Sequence, residues 1–268
     1  MGSVRKILMA VCGIFWVTTA AAQLYHPGEE LHYTVSYRAK LFPNTEVAMV
    51  DVTTVEGSMD GILAYKVTGY GRTLPAFRWF FSIEDTYTVW VDPATLRSMR
   101  FEGDIREGKY TFRNRYDYDW DNLKVHTWWQ SRENPPKTKT MTITENGMDA
   151  VSLYFNLRSI DTDKMRIGER RSLEMVLEDT VRTLDFRFLG REVKKINKQG
   201  SFRTLKFACQ IGTSDGFSFT DGTEFTVWIS DDRNKIPLYI ESPIRVGSIQ
   251  AYISSFSGLK YPLECRTD

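Results

Sequence analysis

The chain has 268 residues, 42% hydrophobic and 13% aromatic, with 35 basic and 34 acidic side chains and a net charge of +1. A balance this close to neutrality excludes the strongly basic surface that nucleic acids select, so no nucleic-acid partner is expected. The length suffices for one large domain or two small ones with a substantial core.

Residues 1–22 read as a cleavable secretory signal. Arg5 and Lys6 form its positive end, Ile7 to Ala20 its apolar stretch, and Ala20-Ala21-Ala22 the small residues before a new N-terminus at Gln23. The apolar run is shorter than the roughly 20 residues that span a bilayer. A lipoprotein signal is disfavoured, because Cys12 lies inside the apolar run, too close to its start. Removing residues 1–22 leaves 33 basic and 34 acidic side chains. The expected mature chain, 23–268, is a single β-rich domain in the periplasm or outside the cell. No later stretch reaches transmembrane length. Cys209 and Cys265 then remain, and an oxidising compartment permits a disulfide between them. The alternative is two buried or distant thiols. Neither has a CxxC context or a nearby histidine, which argues against redox chemistry and zinc.

Short alternating runs rich in Thr, Tyr, Phe, Trp and Val predict strands in close succession. In chain order they cover 30–39, 45–57, 63–72, 85–93, 96–104 and 109–120, then 122–132 after an Asp121-Asn122 turn. Pro135 and Pro136 make the following stretch a loop or the start of an edge strand. The segment 145–161 differs. Val151, Tyr154, Phe155 and Arg158 recur at helical spacing, and Asp149 can cap the first turn, so a helix is expected over about 147–159. Strands resume at 170–179, 181–192, 203–212, 222–230, 236–242 and 247–256.

The two sets of strands resemble each other. Thr88-Val89-Trp90 recurs as Thr226-Val227-Trp228, the Gly28-Glu29 pair as Gly168-Glu169, and Ile105-Arg106 with Gly108 as Ile244-Arg245 with Gly247. The offsets are nearly constant, in the same order, which points to internal repeat-like halves at 28–132 and 168–256. Two such meanders joined through a helix predict an all-β, mainly antiparallel fold: a curved sheet, open barrel or sandwich. Strand alternation puts Trp90 and Trp228 on the mixed face, opposite Val89, Val91, Val227 and Ile229. That face either holds a ligand or forms the floor under the helix, and the second is the expectation. Trp79, Phe80 and Phe81 are consecutive. They predict a strand buried on both faces, with a lip closing on a ligand as the alternative. Trp90, Trp228, Trp79 and Phe81 are thus the candidate ligand-binding residues.

Catalytic constellations are missing from the letters. His26, His32 and His126 lack metal-binding spacing, and no nucleophile elbow, P-loop or dinucleotide fingerprint occurs. No catalytic residue, metal ligand or cofactor is expected. Asp117, Asp119 and Asp121 mimic the start of a calcium loop, but Asn122 and Trp128 stand where Gly and Glu are needed. Lys194, Lys195 and Lys198 read as a solvated strand end. Asp231-Asp232 reads as a turn, because adjacent strand residues face opposite ways and suit paired catalysis poorly.

The segments PGEELHYTVSY, VDPATLRSMRFEG, GMDAVSLYFNLRS and FTVWISDDRNKIPLYIESPIRVGSIQAYI resemble the exported bacterial proteins grouped as domain of unknown function family 3108. The resemblance covers nearly all of the mature chain. It implies a Gram-negative envelope protein with a mostly antiparallel β fold, and it supplies no activity. The expectation is a non-enzymatic module that binds or carries an apolar, lipid-like ligand. The alternatives are a structural partner of an outer-membrane complex and an envelope hydrolase.

Overall fold

The computed structural model describes residues 26–39, 42–211, 224–244 and 247–268, without the side chains of residues 42, 43 and 211. The predicted signal, 1–22, lies outside the described residues. The first half forms β1 (Glu30–Ala39), β2 (Phe42–Met59), β3 (Ile62–Thr73), β4 (Glu84–Val91), β5 (Ser98–Glu107), β6 (Tyr110–Asp119), β7 (Lys124–Ser131) and β8 (Lys137–Thr142). A short β9 (Gly147–Met148) leads into α1 (Ala150–Leu157). The second half forms β10 (Arg170–Val176), β11 (Val181–Ile196), β12 (Gly200–Ile211), β13 (Glu224–Ser230), β14 (Pro237–Pro243) and β15 (Ser248–Ser257).

Among the described residues, all fifteen strands belong to one curved, unclosed sheet in the order β8-β7-β6-β5-β4-β3-β2-β1-β15-β14-β13-β12-β11-β10-β9. Every pairing is antiparallel except the short β9–β10 pair. Turn chemistry sets the hairpins. Asp60 and Gly61, with φ of 53° and 82°, close β2 onto β3 with Met59 opposite Ile62. Positive φ at both central residues matches the twist of the flanking strands.

The halves repeat in detail. Gly28 and Gly168 have φ of 94° and 87°. Their N–H groups donate to Thr54 O at 2.7 Å and Phe188 O at 2.8 Å. The next residues, Glu29 and Glu169, donate to His26 O and Arg166 O. On β4 the register shifts between Trp90 and Val91, and on β13 between Trp228 and Ile229. A lysine stands opposite each tryptophan on the preceding strand, Lys66 and Lys206. Strands β1–β6 therefore correspond to β10–β15. The two copies join where β1 pairs with β15. A symmetric closure would pair β6 with β10, but β7, β8, β9 and α1 occupy that junction. There, side chains bridge the gap. Thr127 Oγ1 donates to Glu178 O at 2.6 Å, Lys139 Nζ to Asp179 O at 2.6 Å, and Asn114 Nδ2 to Glu178 Oε1 at 3.1 Å.

The helix is shorter than its sequence pattern and would not persist alone at this length. Its surroundings hold it. Phe155 is fully buried among Val67, Val89, Phe101 and Tyr116 of the first half. Leu153 packs with Leu184, Phe188, Phe207 and Val227 of the second. Tyr154 reaches the cluster at the β1–β15 junction. The segment thus fills one end of the curved sheet from within. Both of its ends are fixed by buried polar groups. Asp149 caps the start, accepting from Val151 N at 3.0 Å and Ser152 N at 2.8 Å, and also from Ser98 Oγ at 2.7 Å. Arg158 follows the helix and forks onto Glu29, with Nη1–Oε1 at 2.6 Å and Nη2–Oε2 at 2.9 Å, both side chains buried.

Candidate functional site

The face against α1 is the aliphatic one, because Val89, Val91, Val227 and Ile229 belong to the clusters that receive the helix. Trp90 and Trp228 point the other way, which corrects the expectation that they floor the helix. Their physical partner is lysine. Lys66 Nζ lies 5.7 Å from the Trp90 ring centre. Around Trp228, Lys194 Nζ sits 3.8 Å above the ring, Tyr239 packs edge-on at 5.3 Å, and Nε1 donates to Glu192 Oε1 at 2.6 Å. That bond leads the influences that hold the Glu192 carboxyl below its ordinary value. Lys194 is therefore not a solvated strand end. Burial lowers its ammonium pKa while the two rings receive its charge. The chain's own lysine occupies the place where a ligand would stack.

Moving away from the helix, inner-facing positions on β1, β3, β14 and β15 pass from buried to half-buried, while the next inner positions on β3 and β14, Thr73 and Ser242, are buried again. On β1, Leu31 and Tyr33 are buried and Val35 is half-buried; on β3, Val67 is buried and Gly69 and Gly71 are not. On β15, Ile253 is buried while Ala251 and Ile249 are half-buried, and on β14 Leu238 gives way to Ile240 in the same sense. Register places these residues side by side: Val35 lies opposite Ala251, Ala251 opposite Ile240, and Val50 opposite Gly71. A side chain at Gly69 would meet nothing within 4 Å, and one at Gly71 only Val50 Cγ2 at 3.8 Å. The result is a stretch of half-buried apolar residues on the inner face below the helix. Sequence reasoning missed it. The signal was Gly69-Tyr70-Gly71 inside a strand pattern, since strand glycines mark a bulge or a close approach.

Asp85 stands at the rim, opposite Gly71. Desolvation pushes its carboxyl up to about 6, with Glu107 and Asp104 adding to the rise and the Arg106 N–H bond opposing it. The same end carries the β3–β4 connection. It contains a 3₁₀ turn at Pro75–Phe77, not the buried strand predicted from Trp79, Phe80 and Phe81. Trp79 and Phe80 are 84% and 75% exposed, and Phe81 is half-buried. Their rings meet edge-to-face, Trp79–Phe80 at 5.8 Å and Phe80–Phe81 at 6.1 Å. Of the four predicted ligand residues, Trp79 and Phe81 thus lie on the β3–β4 connection, away from the inner residues of the sheet. Trp90 and Trp228 lie on the outer face.

The disulfide is absent, and both cysteines are buried free thiols. Cys265 O accepts from Arg203 N at 2.8 Å. Cys209 is six residues further along extended β12, roughly 20 Å away. A disulfide needs Cα atoms within about 7 Å. Burial raises each thiol to about 12, which keeps it protonated and inert. Asp231 and Asp232 form a turn. Asp232 Oδ1 accepts from Asn234 N at 3.0 Å, as Asp92 Oδ1 accepts from Ala94 N at 2.8 Å in the first copy. Asp117 pairs with Arg100 and Arg115 on the outer face. Among the described residues no cluster of three or more His, Cys, Asp or Glu is arranged to hold a metal ion, and no helix is long and apolar enough to cross a membrane.

Residues 32–254 match the family described as protein of unknown function, DUF3108. The chain belongs to that family. Its fold also resembles a crystal structure described as a beta-barrel-like protein of domain of unknown function DUF1849 from Brucella abortus. The TM-score is 0.53 at 10% identity, over 87% of this chain and 98% of that one. At that identity the likeness concerns the fold alone. No curated protein matches the DUF3108 chain in sequence.

Proposed function

We propose that the protein is an exported, non-enzymatic carrier that holds an apolar, chain-like ligand of the lipid acyl class against the inner surface below α1. The observation that carries this reading is the group of half-buried apolar inner residues, Val35, Ile240, Ile249 and Ala251, placed in register on the face that also carries Gly69 and Gly71. A concave apolar surface with few polar groups is the usual form of a small-molecule site. The helix packs against the buried residues further along the same face of the sheet.

Uptake of a fluorescent fatty acid by the full chain tests the reading, together with mass spectrometry of the protein isolated from its own cells. Gly69→Trp should fill the open space and abolish uptake without lowering the unfolding midpoint. Uptake unchanged in this variant, or absent in the parent chain with no molecule copurifying, overturns the proposal. Assembly through a sheet edge has less support. The open edge at β8 is short, carries Lys137 and Lys139, and follows two prolines, all features that discourage strand addition.

A further inference from the structure

We infer that the β3–β4 connection is a membrane-interface anchor, which seats its end of the sheet on a lipid bilayer. The inference rests on the carrier reading for its purpose, but on separate observations for its geometry.

Trp79 and Phe80 are the two most exposed aromatic side chains among the described large hydrophobic residues. Their exposure is built and not incidental. The connection is tied down by Leu74 N to Val47 O at 2.9 Å, Thr73 N to Ile83 O at 3.0 Å and Gly108 N to Ser82 O at 2.7 Å. Within it, Phe80 N and Phe81 N both donate to Phe77 O, at 3.0 and 3.1 Å. Arg78 Nε reaches back to Thr73 O at 3.3 Å. Backbone bonds therefore present the two rings outward in fixed positions.

The size of the patch selects the partner. The two exposed rings offer together about 350 Å² of surface. A stable protein interface needs about 800 Å² on each side. A bilayer interface has no such minimum, and tryptophan is among the residues enriched there. Charge agrees with a lipid partner of no particular headgroup. Around the connection, Arg72, Arg78, Arg106 and Lys109 are balanced by Glu84, Asp85, Asp104 and Glu107. The anchoring should therefore be apolar in character and insensitive to salt. Its position supplies the consequence. The rings stand on the connection that follows β3, at the end of the sheet that holds the half-buried Val35, Gly71 and Ala251, so the anchor would bring those residues towards the bilayer.

Cosedimentation with phosphatidylcholine vesicles tests this, using the full chain, the double variant Trp79→Ser/Phe80→Ser, and Gly69→Trp. The parent should bind vesicles equally at low and high salt. The double variant should lose vesicle binding by about tenfold or more while still taking up the fluorescent fatty acid from solution. Gly69→Trp should do the reverse, binding vesicles and failing to take up the probe. Vesicle binding that the double variant retains, or that the parent lacks, overturns the anchor whatever the probe does. A parent dimer that the double variant dissociates overturns it in favour of protein contact. Loss of the anchor with intact probe uptake leaves the carrier reading standing, so the two ideas fail separately.

Discussion

Trp90 and Trp228 hold the same place in two copies of one hairpin, with the same register shift after them and a lysine opposite each. Their surroundings differ. Trp90 is half-buried under Lys66, whereas Trp228 is 5% exposed, stacked under Lys194 and bonded to Glu192. The cause is the β11–β12 hairpin. Its far end carries Lys194 across to Tyr239 on β14 and Lys198 to Glu46 on β2. The copies also diverge at Glu29 and Glu169, which start the same turn. Glu29 is buried against Arg158, while Glu169 pairs with Arg171 near the surface. Local backbone geometry is thus inherited with the repeat, and burial is decided by what later packs over it.

Paired substitutions can break this comparison. The largest effect should come from Glu29→Gln, which strands the Arg158 charge in the interior at a cost of about 3–5 kcal/mol. Glu169→Gln should leave the urea unfolding midpoint where it was. Equal effects from the two would show that the buried pair does not hold the helix in place. Next, Trp228→Ala should cost about 3–5 kcal/mol as a buried ring is lost. Trp90→Ala should cost no more than about 1.5 kcal/mol. Denaturant titration of both variants measures the contrast directly, and similar losses would mean that the β11–β12 hairpin does not cover Trp228 in solution.

The smallest effect sharpens the same contrast at the rim. Asp85 has its carboxyl raised to about 6, so the folded state binds a proton that the unfolded state releases nearer the ordinary carboxylate value. Stability should fall as pH rises from about 4 to about 6, and the full penalty should remain above that. Asp85→Asn should therefore raise the melting temperature at pH 7.5 by a few degrees and change it little at pH 4. Melting curves at the two values that shift equally would rule out this titration.

Much of the fold was legible because turns and alternation are local. Asp149 announced its helix, Pro135-Pro136 its edge strand, and the repeated Thr-Val-Trp its duplicated hairpin. What failed was the assignment of faces. On β13 both faces are apolar enough to be buried, with Phe225, Val227 and Ile229 on one and Trp228 on the other, so alternation alone could not say which received the helix. Lys194, which stacks closest on Trp228, comes from a strand two places away in the sheet, beyond any local pattern. The aromatic run at 79–81 misled for a related reason. Strand propensity measures how a side chain fits a pleated, half-buried surface, and here Pro75 and the bonds to Phe77 O direct the chain into an exposed turn instead. The proposed site was written in absent side chains, at Gly69 and Gly71, which hydrophobic patterning does not register.

The junction of the two copies has a consequence for how the chain reaches this structure. β1 is paired on one side with β2, its neighbour in sequence, and on the other with β15, so that Glu30 lies opposite Ser257 across 227 residues. Pairings of such long range close slowly, because the loop entropy must be overcome before any contact rewards it. Until β15 arrives, β1 has an open edge, and the sheet is complete only when β15 is free to pair with β1.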